Sequence, residues 1–492
     1  MVHPDTGESD PRRWRALAVT LTAGFMSLLD VSIVNVALPS IQRGLGASAS
    51  GVQWVVSGYA LTFGLVLVSG GRLGDALGRR RMFLFALSAF VLTSALAGAA
   101  VNESMLVSAR LSQGVAAGLL TPQNSGLIQE LFRGAERGRA FGAFGTTVSL
   151  STAVGPVLGG AIIALFGAEN GWRWVFFVNV PIGVLAFVLA LRLLPAAPRR
   201  SGTLRSQLDV VGVVLLGAAV LGLLFPLVRW GQGGFGAVSA LWWMPLVAVA
   251  FAVAFVVWER RLVRRDGSPL LDVRLFTETP GFATGAAIGT VYFAGFAGIW
   301  LVFALFFQQG LGYTPLESGL VVTPFALGAA VSATVAGRLV ARLGRLLTLA
   351  GLCLVAVGLA AVAVISPLTP PATTGFAVAL PLLVAGLGGG MVISPNTTLT
   401  LECVPTRMAG VAGGALQTGQ RIGTAIGVAV LASVFHAGVG SDGGYPEGLR
   451  WAMASAVALV VLALVLAVVD ARRRPRRAPH QSRRVSAHTP FE

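Results

Sequence analysis

Lysine is absent from this sequence of 492 residues, and its absence excludes several kinds of chemistry. There is no P-loop lysine, which excludes an ATP-hydrolysing motor, and no lysine that could carry pyridoxal phosphate. Cysteine and histidine are also rare, and the two cysteines and four histidines show no metal-ligand spacing. The sequence therefore predicts a protein that is not an enzyme, with no catalytic residues, no cofactor and no metal. We expect any transport to be driven by an ion gradient.

Charged residues make up only 11% of the chain, whereas 55% of the residues are hydrophobic and the mean hydropathy is +0.79. This composition is typical of membrane proteins. A helix needs about 20 mostly apolar residues to cross the hydrocarbon layer, and unbroken rather than alternating apolarity argues against a β-barrel. We therefore predict an all-α polytopic membrane protein with fourteen transmembrane helices. The apolar runs lie near residues 16–39, 51–71, 82–101, 104–127, 140–166, 174–194, 208–228, 239–258, 282–309, 317–340, 346–366, 376–400, 409–437 and 449–470.

All 36 basic residues are arginine, and their distribution predicts the orientation of the chain. Thirty of them lie in the two terminal segments and in alternate loops between the predicted spans. Only Arg43, Arg173, Arg229 and Arg450 lie in the opposite loops. By the positive-inside rule, the arginine-rich loops face the cytoplasm. We expect a multi-pass protein of the cell membrane with both termini in the cytoplasm, whose net charge of +16 contacts membrane lipids rather than nucleic acid.

A segment between the second and third spans is repeated later in the chain. GGRLGDALGRR (70–80) reappears as AGRLVARLGRL (336–346), 266 residues further on. The pattern predicts a duplicated six-helix unit with two helices inserted between the copies, an architecture of secondary transporters whose substrate site lies between the halves. The predicted divisions are a cytoplasmic amino-terminal segment 1–15, an N-terminal half 16–194, the inserted helices with flanking cytoplasmic loops 195–280, a C-terminal half 281–470 and a basic cytoplasmic tail 471–492.

Several motifs resemble those of one transporter family. GGRLGDALGRRR (70–81) resembles the loop signature of the major facilitator superfamily. LLDVSIVNVALP (28–39), ARLSQGVAAG (109–118), AVGPVLGG (153–160) and WRWVFFVNVPIG (172–183) resemble motifs of its fourteen-helix drug/proton antiporters, of the EmrB and QacA type. The resemblance covers about residues 15 to 470 and implies the major facilitator fold, with two six-helix halves plus two inserted helices.

The loop signature implies a gate. Its residues at the family's positions are Gly71, Asp75, Gly78, Arg79 and Arg80. By resemblance, this loop latches the cytoplasmic gate through charge contacts between the two halves. The second copy of the repeat has Ala341 in place of the aspartate, so we expect the latch to be asymmetric.

The resemblance also implies the direction of transport. The antiporter motif in the fifth span contains Gly155, Pro156, Gly159 and Gly160. These small residues predict close helix packing, and the proline removes one backbone hydrogen bond, so the helix should bend easily. In the family this motif is typical of exporters coupled to protons, which favours efflux.

One carboxylate and one arginine lie inside predicted spans at similar depths. With a rise of 1.5 Å per residue, Asp30 lies about 13 Å and Arg110 about 10 Å below the outer surface. A charge at the centre of a membrane helix costs about 2.5 to 3.5 kcal/mol, so we expect both side chains to face the bundle interior and pair. We interpret Asp30 and Arg110 as proton-coupling residues, because burial favours a protonated carboxyl while the arginine favours the ionised form. The alternative is a static ion pair that fixes helix packing.

Other polar and aromatic residues are candidates for the substrate cavity. Gln113 shares a helix face with Arg110 and either lines the cavity or orients the arginine. Gln417 and Arg421 point away from a glycine strip in the thirteenth span, so they face the cavity if the strip packs on another helix. Arg421 is expected to bind an anionic group or to satisfy buried carbonyls. The three other candidates are Trp54, Tyr59 and Asn396, for which the alternatives are ordinary packing or a place in the belt of residues at the membrane interface.

Together these patterns predict a proton-coupled antiporter that exports lipophilic drug-like compounds or an antibiotic across the cytoplasmic membrane by alternating access. In the antiporter subfamily that the chain resembles, pumps that carry dications are expected to have a second carboxylate in the membrane. The last six spans contain no acidic residue near the midplane, so the resemblance implies monocationic, neutral or zwitterionic lipophilic substrates. The expected partners are the small-molecule substrate, protons and membrane lipids, and no obligate protein partner is indicated. Two alternatives are open: a proton-coupled transporter of one specific metabolite, and a membrane sensor that does not transport.

Overall fold

The computed structural model of the protein describes residues 12–167, 169–195, 209–238, 241–265, 269–441 and 443–473, and all regular structure in these ranges is helical. Most of the predicted tail 471–492, much of the segment 1–15 and part of the loop before the inserted helices lie outside the described residues. The helices are α1 (Arg12–Leu45), α2 (Ala49–Leu77), α3 (Arg79–Gly98), α4 (Glu103–Leu131), α5 (Gly134–Phe166), α6 (Gly171–Phe177), α7 (Asn179–Leu193), α8 (Val210–Val238), α9 (Met244–Arg264), α10 (Arg274–Thr277), α11 (Phe282–Ala304), α12 (Pro315–Leu343), α13 (Arg345–Ile365), α14 (Pro371–Ala377), α15 (Ala379–Thr400), α16 (Ala409–Val439) and α17 (Gly444–Arg473).

The helix boundaries follow from local chemistry. Asn102 begins α4 because its side chain accepts a hydrogen bond from the Met105 backbone N–H, which a free helix N-terminus leaves unpaired. Two glycines with positive φ angles, Gly78 at 95° and Gly344 at 50°, join α2 to α3 and α12 to α13 with no intervening loop. These glycines occupy equivalent positions in the two copies of the repeat, so the duplicated sequence makes the same sharp turn twice.

Ten helical stretches of the described chain are long and apolar enough to cross a membrane. The fourteen predicted spans are therefore not all recovered by length and composition. The long helices outside the ten are α4, α5, α8 and α9. In α4 the reason is chemical, because buried polar side chains such as Arg110, Gln113 and Gln123 replace apolar residues along it.

The helices form two halves, each with its own apolar core. In the N-terminal half, α1 to α7, the core includes Phe83 and Phe90 of α3. In the C-terminal half, α11 to α17, it includes Phe303 of α11 and Leu359 of α13. The halves pack together along two helix pairs, α2 with α16 and α5 with α12, while the inserted helix α8 packs against both α2 and α16. The surface between α2 and α16 is thus where the two halves and the inserted pair meet.

The halves approach most closely at one end of the bundle, which we call the arginine-rich end because it holds Arg79 to Arg81 and Arg338 to Arg345. A side chain added at Gly71 would overlap the backbone of Gly410 in the other half. On the second pair of helices, Gly138 likewise leaves no room beside the backbone of Gly337. Glycine is required at these positions because the helices touch backbone to backbone.

Candidate functional site

Asp30 and Arg110 form an ion pair in the interior of the N-terminal half. Asp30 on α1 has 0% of its surface exposed and Arg110 on α4 has 1%. An Arg110 Nη1 atom donates to Asp30 Oδ2, and Arg110 Nε donates to the backbone oxygen of Val55 at 3.0 Å. The pair expected from the sequence is therefore brought together, with both charges removed from solvent and lipid.

The second oxygen of Asp30 is bound by two amides. Gln113 Nε2 donates to Asp30 Oδ1 at 3.1 Å, and Asn179 Nδ2 donates to the same oxygen at 3.0 Å. Gln113 also accepts a hydrogen bond from Arg110 at 2.8 Å. Of its two predicted roles, lining the cavity and orienting Arg110, this contact supports the second. Asn179 in turn donates to Ser94 Oγ at 3.1 Å.

Sequence reasoning missed Asn179 and Ser94 as members of this site. Asn179 lies at the start of α7, inside the motif WRWVFFVNVPIG, where it is a buried polar residue in an otherwise apolar segment. That contrast was the available signal, since a buried amide needs a partner. Four helices, α1, α3, α4 and α7, thus contribute to one hydrogen-bonded network around a single carboxylate.

The donors to Asp30 come from two different helices. Arg110 and Gln113 lie on α4, and Asn179 lies at the start of α7. The position of the Asp30 side chain therefore depends on how α4 and α7 are placed relative to α1, and relative motion of these helices would break some of the contacts that hold it.

A row of aromatic rings connects the ion pair to the interface between the halves. The Arg110 Cζ atom lies 4.2 Å from the centroid of the Tyr59 ring. Tyr59 stacks on Phe63, with ring centroids 5.9 Å apart and 8° between the planes. On the other face of this row, the Cζ atom of Arg421 lies 4.3 Å from the Phe63 centroid. The row therefore runs from α4 through α2 to α16.

Three of the predicted cavity residues, Tyr59, Trp54 and Gln417, contact other parts of the protein. Tyr59 is 1% exposed and its hydroxyl donates to the Ser27 backbone oxygen at 3.1 Å, so it forms the wall of the ion-pair site. Trp54 is half-buried, and the centroid of its ring lies 6.0 Å from that of Phe225 on the inserted helix α8. Gln417 is half-buried and donates to Ser125 Oγ in the other half at 3.3 Å.

The prediction for Asn396 is wrong, because this residue belongs to a second buried ion-pair cluster. Arg345 donates to Asp470 Oδ2 at 2.8 Å through Nε and to Asn396 Oδ1 at 2.6 Å through Nη1. Asn396 Nδ2 donates to the Gly285 backbone oxygen at 2.9 Å, and the hydroxyl of Thr284 donates to Asp470. Asn396 is 2% exposed and is held by these bonds, not by a cavity.

In the described part of the chain, the gate loop crosses between the halves by hydrogen bonds that join its charged side chains to backbone groups. Asp75 accepts from the backbone N–H groups of Gly410 and Val411 at 3.2 and 3.0 Å, at the start of α16. Arg79 pairs with Asp75 at 2.9 Å and donates to the Thr406 backbone oxygen at 2.7 Å. The expected charge contacts are therefore corrected to contacts with backbone groups. The unpaired N–H groups and positive dipole at a helix start explain why a carboxylate binds there.

The remaining contacts of the gate loop lie within the N-terminal half and in the chain turn, except for that of Gly71. Arg79 also pairs with Glu130 of α4 at 2.9 Å. Arg80 donates to the Leu191 backbone oxygen of α7 at 2.6 Å, and so makes this contact inside its own half. Gly78 provides the turn into α3, and Gly71 permits the backbone approach described above.

The two glycine motifs have separate neighbours. In α5, Gly155 and Gly159 lie directly against α1 near Ile33, whereas a side chain at Gly160 would meet nothing within 4 Å. The side chain of Pro156 lies outside what the structure describes, and α5 is a continuous helix from Gly134 to Phe166. The glycine strip of the thirteenth predicted span, Gly419, Gly423 and Gly427 in α16, packs against Thr290 and Ala294 of α11. The condition for Arg421 to project away from the strip is therefore met, and its side chain lies against α2.

Known proteins resemble this chain over most of its length. A family model described as Major Facilitator Superfamily matches residues 20–428 and 285–492. The chain is 37% identical over 433 residues to a protein named "Probable actinorhodin transporter" from Streptomyces coelicolor, covering 87% of this chain and 74% of that protein. It is 34% identical over 415 residues to "Multidrug resistance protein Stp" from Mycobacterium tuberculosis, covering 84% and 74%.

A solved structure shares the fold. The crystal structure of the human organic anion transporter MFSD10 superposes with a TM-score of 0.69 at 16% sequence identity, covering 93% of this chain and 100% of that one. At this identity the likeness establishes the arrangement of the helices alone.

Proposed function

The chain belongs to the major facilitator superfamily, and on that premise we propose that it is a proton-coupled antiporter that exports lipophilic drug-like compounds or an antibiotic across the cell membrane. The names of two relatives, an actinorhodin transporter and a multidrug resistance protein, support export of such compounds. The fourteen-helix drug/proton antiporters are the subfamily we propose, since the ten apolar spans together with α4, α5, α8 and α9 make fourteen.

The observation that carries proton coupling is the environment of Asp30. Its side chain is fully buried, and its two oxygens accept from Arg110, Gln113 and Asn179. An ionisable group inside a membrane bundle is costly and is usually retained for function. A static ion pair needs only two side chains to fix the packing of two helices. The Asp30 network joins four helices and keeps both charges buried. We infer that it serves a carboxyl whose protonation changes when those helices move.

The contacts between the halves support alternating access. At the arginine-rich end the halves are held by Asp75 on the α16 backbone and by the glycine contacts of Gly71 and Gly138. If that end faces the cytoplasm, as the positive-inside rule predicts, the described state is closed to the cytoplasm. Opening requires Asp75 to leave the N-terminus of α16, so the gate is a set of breakable hydrogen bonds between rigid halves.

Efflux from energised cells tests this proposal. Cells that lack their own pumps express the wild type, Asp30→Asn or Asp470→Asn at matched levels, and are loaded with ethidium, Nile red or fluorescein. Asp470→Asn is the matched control because it also removes the charge from a buried partner of an arginine, outside the Asp30 network. It should destabilise the fold by an amount comparable to Asp30→Asn, so export that survives in it at matched levels separates loss of stability from loss of coupling. We expect the wild type to export at least one dye, a protonophore to stop that export, and Asp30→Asn to abolish it while Asp470→Asn retains it.

The outcomes separate the alternatives. Export that continues with the protonophore present contradicts proton coupling. Export by Asp30→Asn at the wild-type rate contradicts the role of Asp30. If the wild type exports none of the three dyes, transport of one specific metabolite becomes the better proposal.

A further inference from the structure

Arg421 is a charged side chain near the middle of the bundle whose guanidinium has no acceptor among the described residues. Its one described contact is with the face of the Phe63 ring, at 4.3 Å. The side chain is half-buried. Arginine presents five N–H donors and cannot be deprotonated in proteins, so these donors are available to a ligand.

Two other buried arginines, Arg110 and Arg345, each have a carboxylate partner. Arg110 pairs with Asp30, and Arg345 pairs with Asp470. The second use that the sequence allowed for Arg421, satisfying buried carbonyls, finds no carbonyl partner in the described chain. An unpaired cation in a membrane interior is costly, so its retention points to a partner that is not part of the protein.

The position of Arg421 is at the surface where the halves meet. Phe63 is the middle residue of α2, which places the contact about equally far from both ends of that helix. Arg421 lies on α16 in the opposite half, and its Cβ atom fits beside Gly64, which has no side chain. The glycine strip of α16 packs on α11 and fixes the side of α16 from which Arg421 projects.

We propose that Arg421 and Phe63 form a subsite for a carboxylate or phenolate group of an aromatic substrate. The guanidinium binds planar anionic oxygens in a two-pronged geometry, and Phe63 supplies an apolar face beside it. This inference rests on the proposed export function and narrows its substrate class. Among the substrate classes that the sequence analysis favours, zwitterionic compounds provide an anionic group that can bind Arg421, whereas purely cationic compounds do not.

Binding to purified protein tests the subsite without transport. The probes are anthracene-9-carboxylate and anthracene-9-carboxamide, which share one ring system and differ in charge, titrated by their fluorescence. The proteins are the wild type, Arg421→Gln, Arg421→Lys and the control Arg450→Gln, whose side chain is 66% exposed. We expect the wild type and the control to bind the acid about ten- to a hundredfold more tightly than the amide.

The variants separate a binding role from a structural one. Arg421→Gln should lose the preference for the acid while its affinity for the amide is unchanged, and Arg421→Lys should show an intermediate preference because it keeps the charge without the planar fork. Equal affinity of the wild type for acid and amide, including no binding of either, contradicts the proposal without any variant. So does a preference for the acid that survives in Arg421→Gln.

The subsite and the export function can fail separately. If cells export no compound while the purified protein keeps its Arg421-dependent preference for the acid, the export proposal is wrong and the subsite stands. If export is proton-driven while the acid and amide bind alike, the subsite is wrong and the export proposal stands.

Discussion

Arg345 occupies in the C-terminal half the place that Arg79 occupies in the N-terminal half, yet the two arginines take their carboxylates from different helices. They lie 266 residues apart, at the same position of the repeated segment. Arg79 pairs with Asp75 four residues earlier on the neighbouring helix, whereas Arg345 pairs with Asp470 on α17. Ala341 stands where the second aspartate would be, and Asp470 replaces it within the same half. Of these two aspartates, Asp75 binds across the interface, and Asp470 binds Arg345 within its own half.

The Arg345 cluster should be a stability element. Arg345→Gln leaves Asp470 buried without its cation, a change that costs about 3 to 5 kcal/mol when a buried pair loses one partner. We expect a clear fall in the thermal unfolding midpoint in detergent, followed by intrinsic fluorescence. Arg450→Gln is the control, because its contact with Glu447 at 3.8 Å is exposed and worth about 1 kcal/mol or less. Equal midpoints for the two variants would show that the buried cluster does not stabilise the fold.

Gly71→Ala should open the arginine-rich end. A methyl group at Gly71 overlaps the backbone of Gly410. Neither the methyl group nor the backbone can rotate away, so no change of side-chain rotamer relieves the clash. The two halves must therefore separate at this end. Gly160→Ala is the control, because an added methyl group there meets nothing within 4 Å and should leave the separation of the halves unchanged.

Spin-label distances measure this opening. Cys353 and Cys403 are first replaced by serine, and labels are attached to cysteines at the exposed positions Arg133 and Arg342, one in each half. We expect Gly71→Ala to enlarge the population at long distance relative to the parent. A distribution identical to that of Gly160→Ala would mean that this glycine contact does not hold the gate.

Asn179→Ala should impair coupling without unfolding the protein. The substitution removes one donor from Asp30 Oδ1 and leaves Gln113 and Arg110 in place. A hydrogen bond to a charged group contributes about 1.5 to 3 kcal/mol, so we expect the proton-driven efflux rate to fall about tenfold or more. Thr93→Ala is the control, since its hydroxyl bonds the backbone of its own helix. A normal rate in Asn179→Ala would remove Asn179 from the coupling site.

Gly423→Ala should destabilise the C-terminal half. The Cβ atom would overlap the Thr290 backbone oxygen, and moving α16 away from α11 also moves Arg421. Overpacking of this kind typically costs about 1 to 3 kcal/mol. The thermal midpoint should fall relative to Gly440→Ala, whose nearest neighbours lie at 3.5 Å or more. If Gly423→Ala is as stable as Gly440→Ala, the strip is not a tight contact.

The sequence predicted what depends on spacing along the chain. The pairing of Asp30 with Arg110 and the projection of Arg421 away from the glycine strip follow from helical spacing, and the structure pairs the first two residues and places Arg421 beside Phe63 of the other half. The partners of Asp30 on α3 and α7 were missed because they arise from packing of helices far apart in sequence.

Other predictions failed where tertiary contacts decide the outcome. Asn396 was assigned to the cavity because it is polar and lies in a span, but Arg345 recruits it at the arginine-rich end. Asp75 was expected to make charge contacts between the halves. It pairs with Arg79 of its own half, and across the interface it binds two N–H groups that any sequence would present at a helix start. Spacing cannot reveal a backbone partner, since every residue carries the same groups.

Transport driven by an imposed proton gradient tests the role of Asp30 most directly. Proteoliposomes with an acidic lumen contain the wild type, Asp30→Asn or Asp470→Asn, and receive the compound that the wild type exports fastest from cells. We predict that protons leaving the vesicle drive accumulation of the compound by the wild type and by Asp470→Asn. Asp30→Asn should exchange the compound between equal concentrations but accumulate none. Accumulation by Asp30→Asn at the wild-type level would contradict proton coupling through this carboxylate.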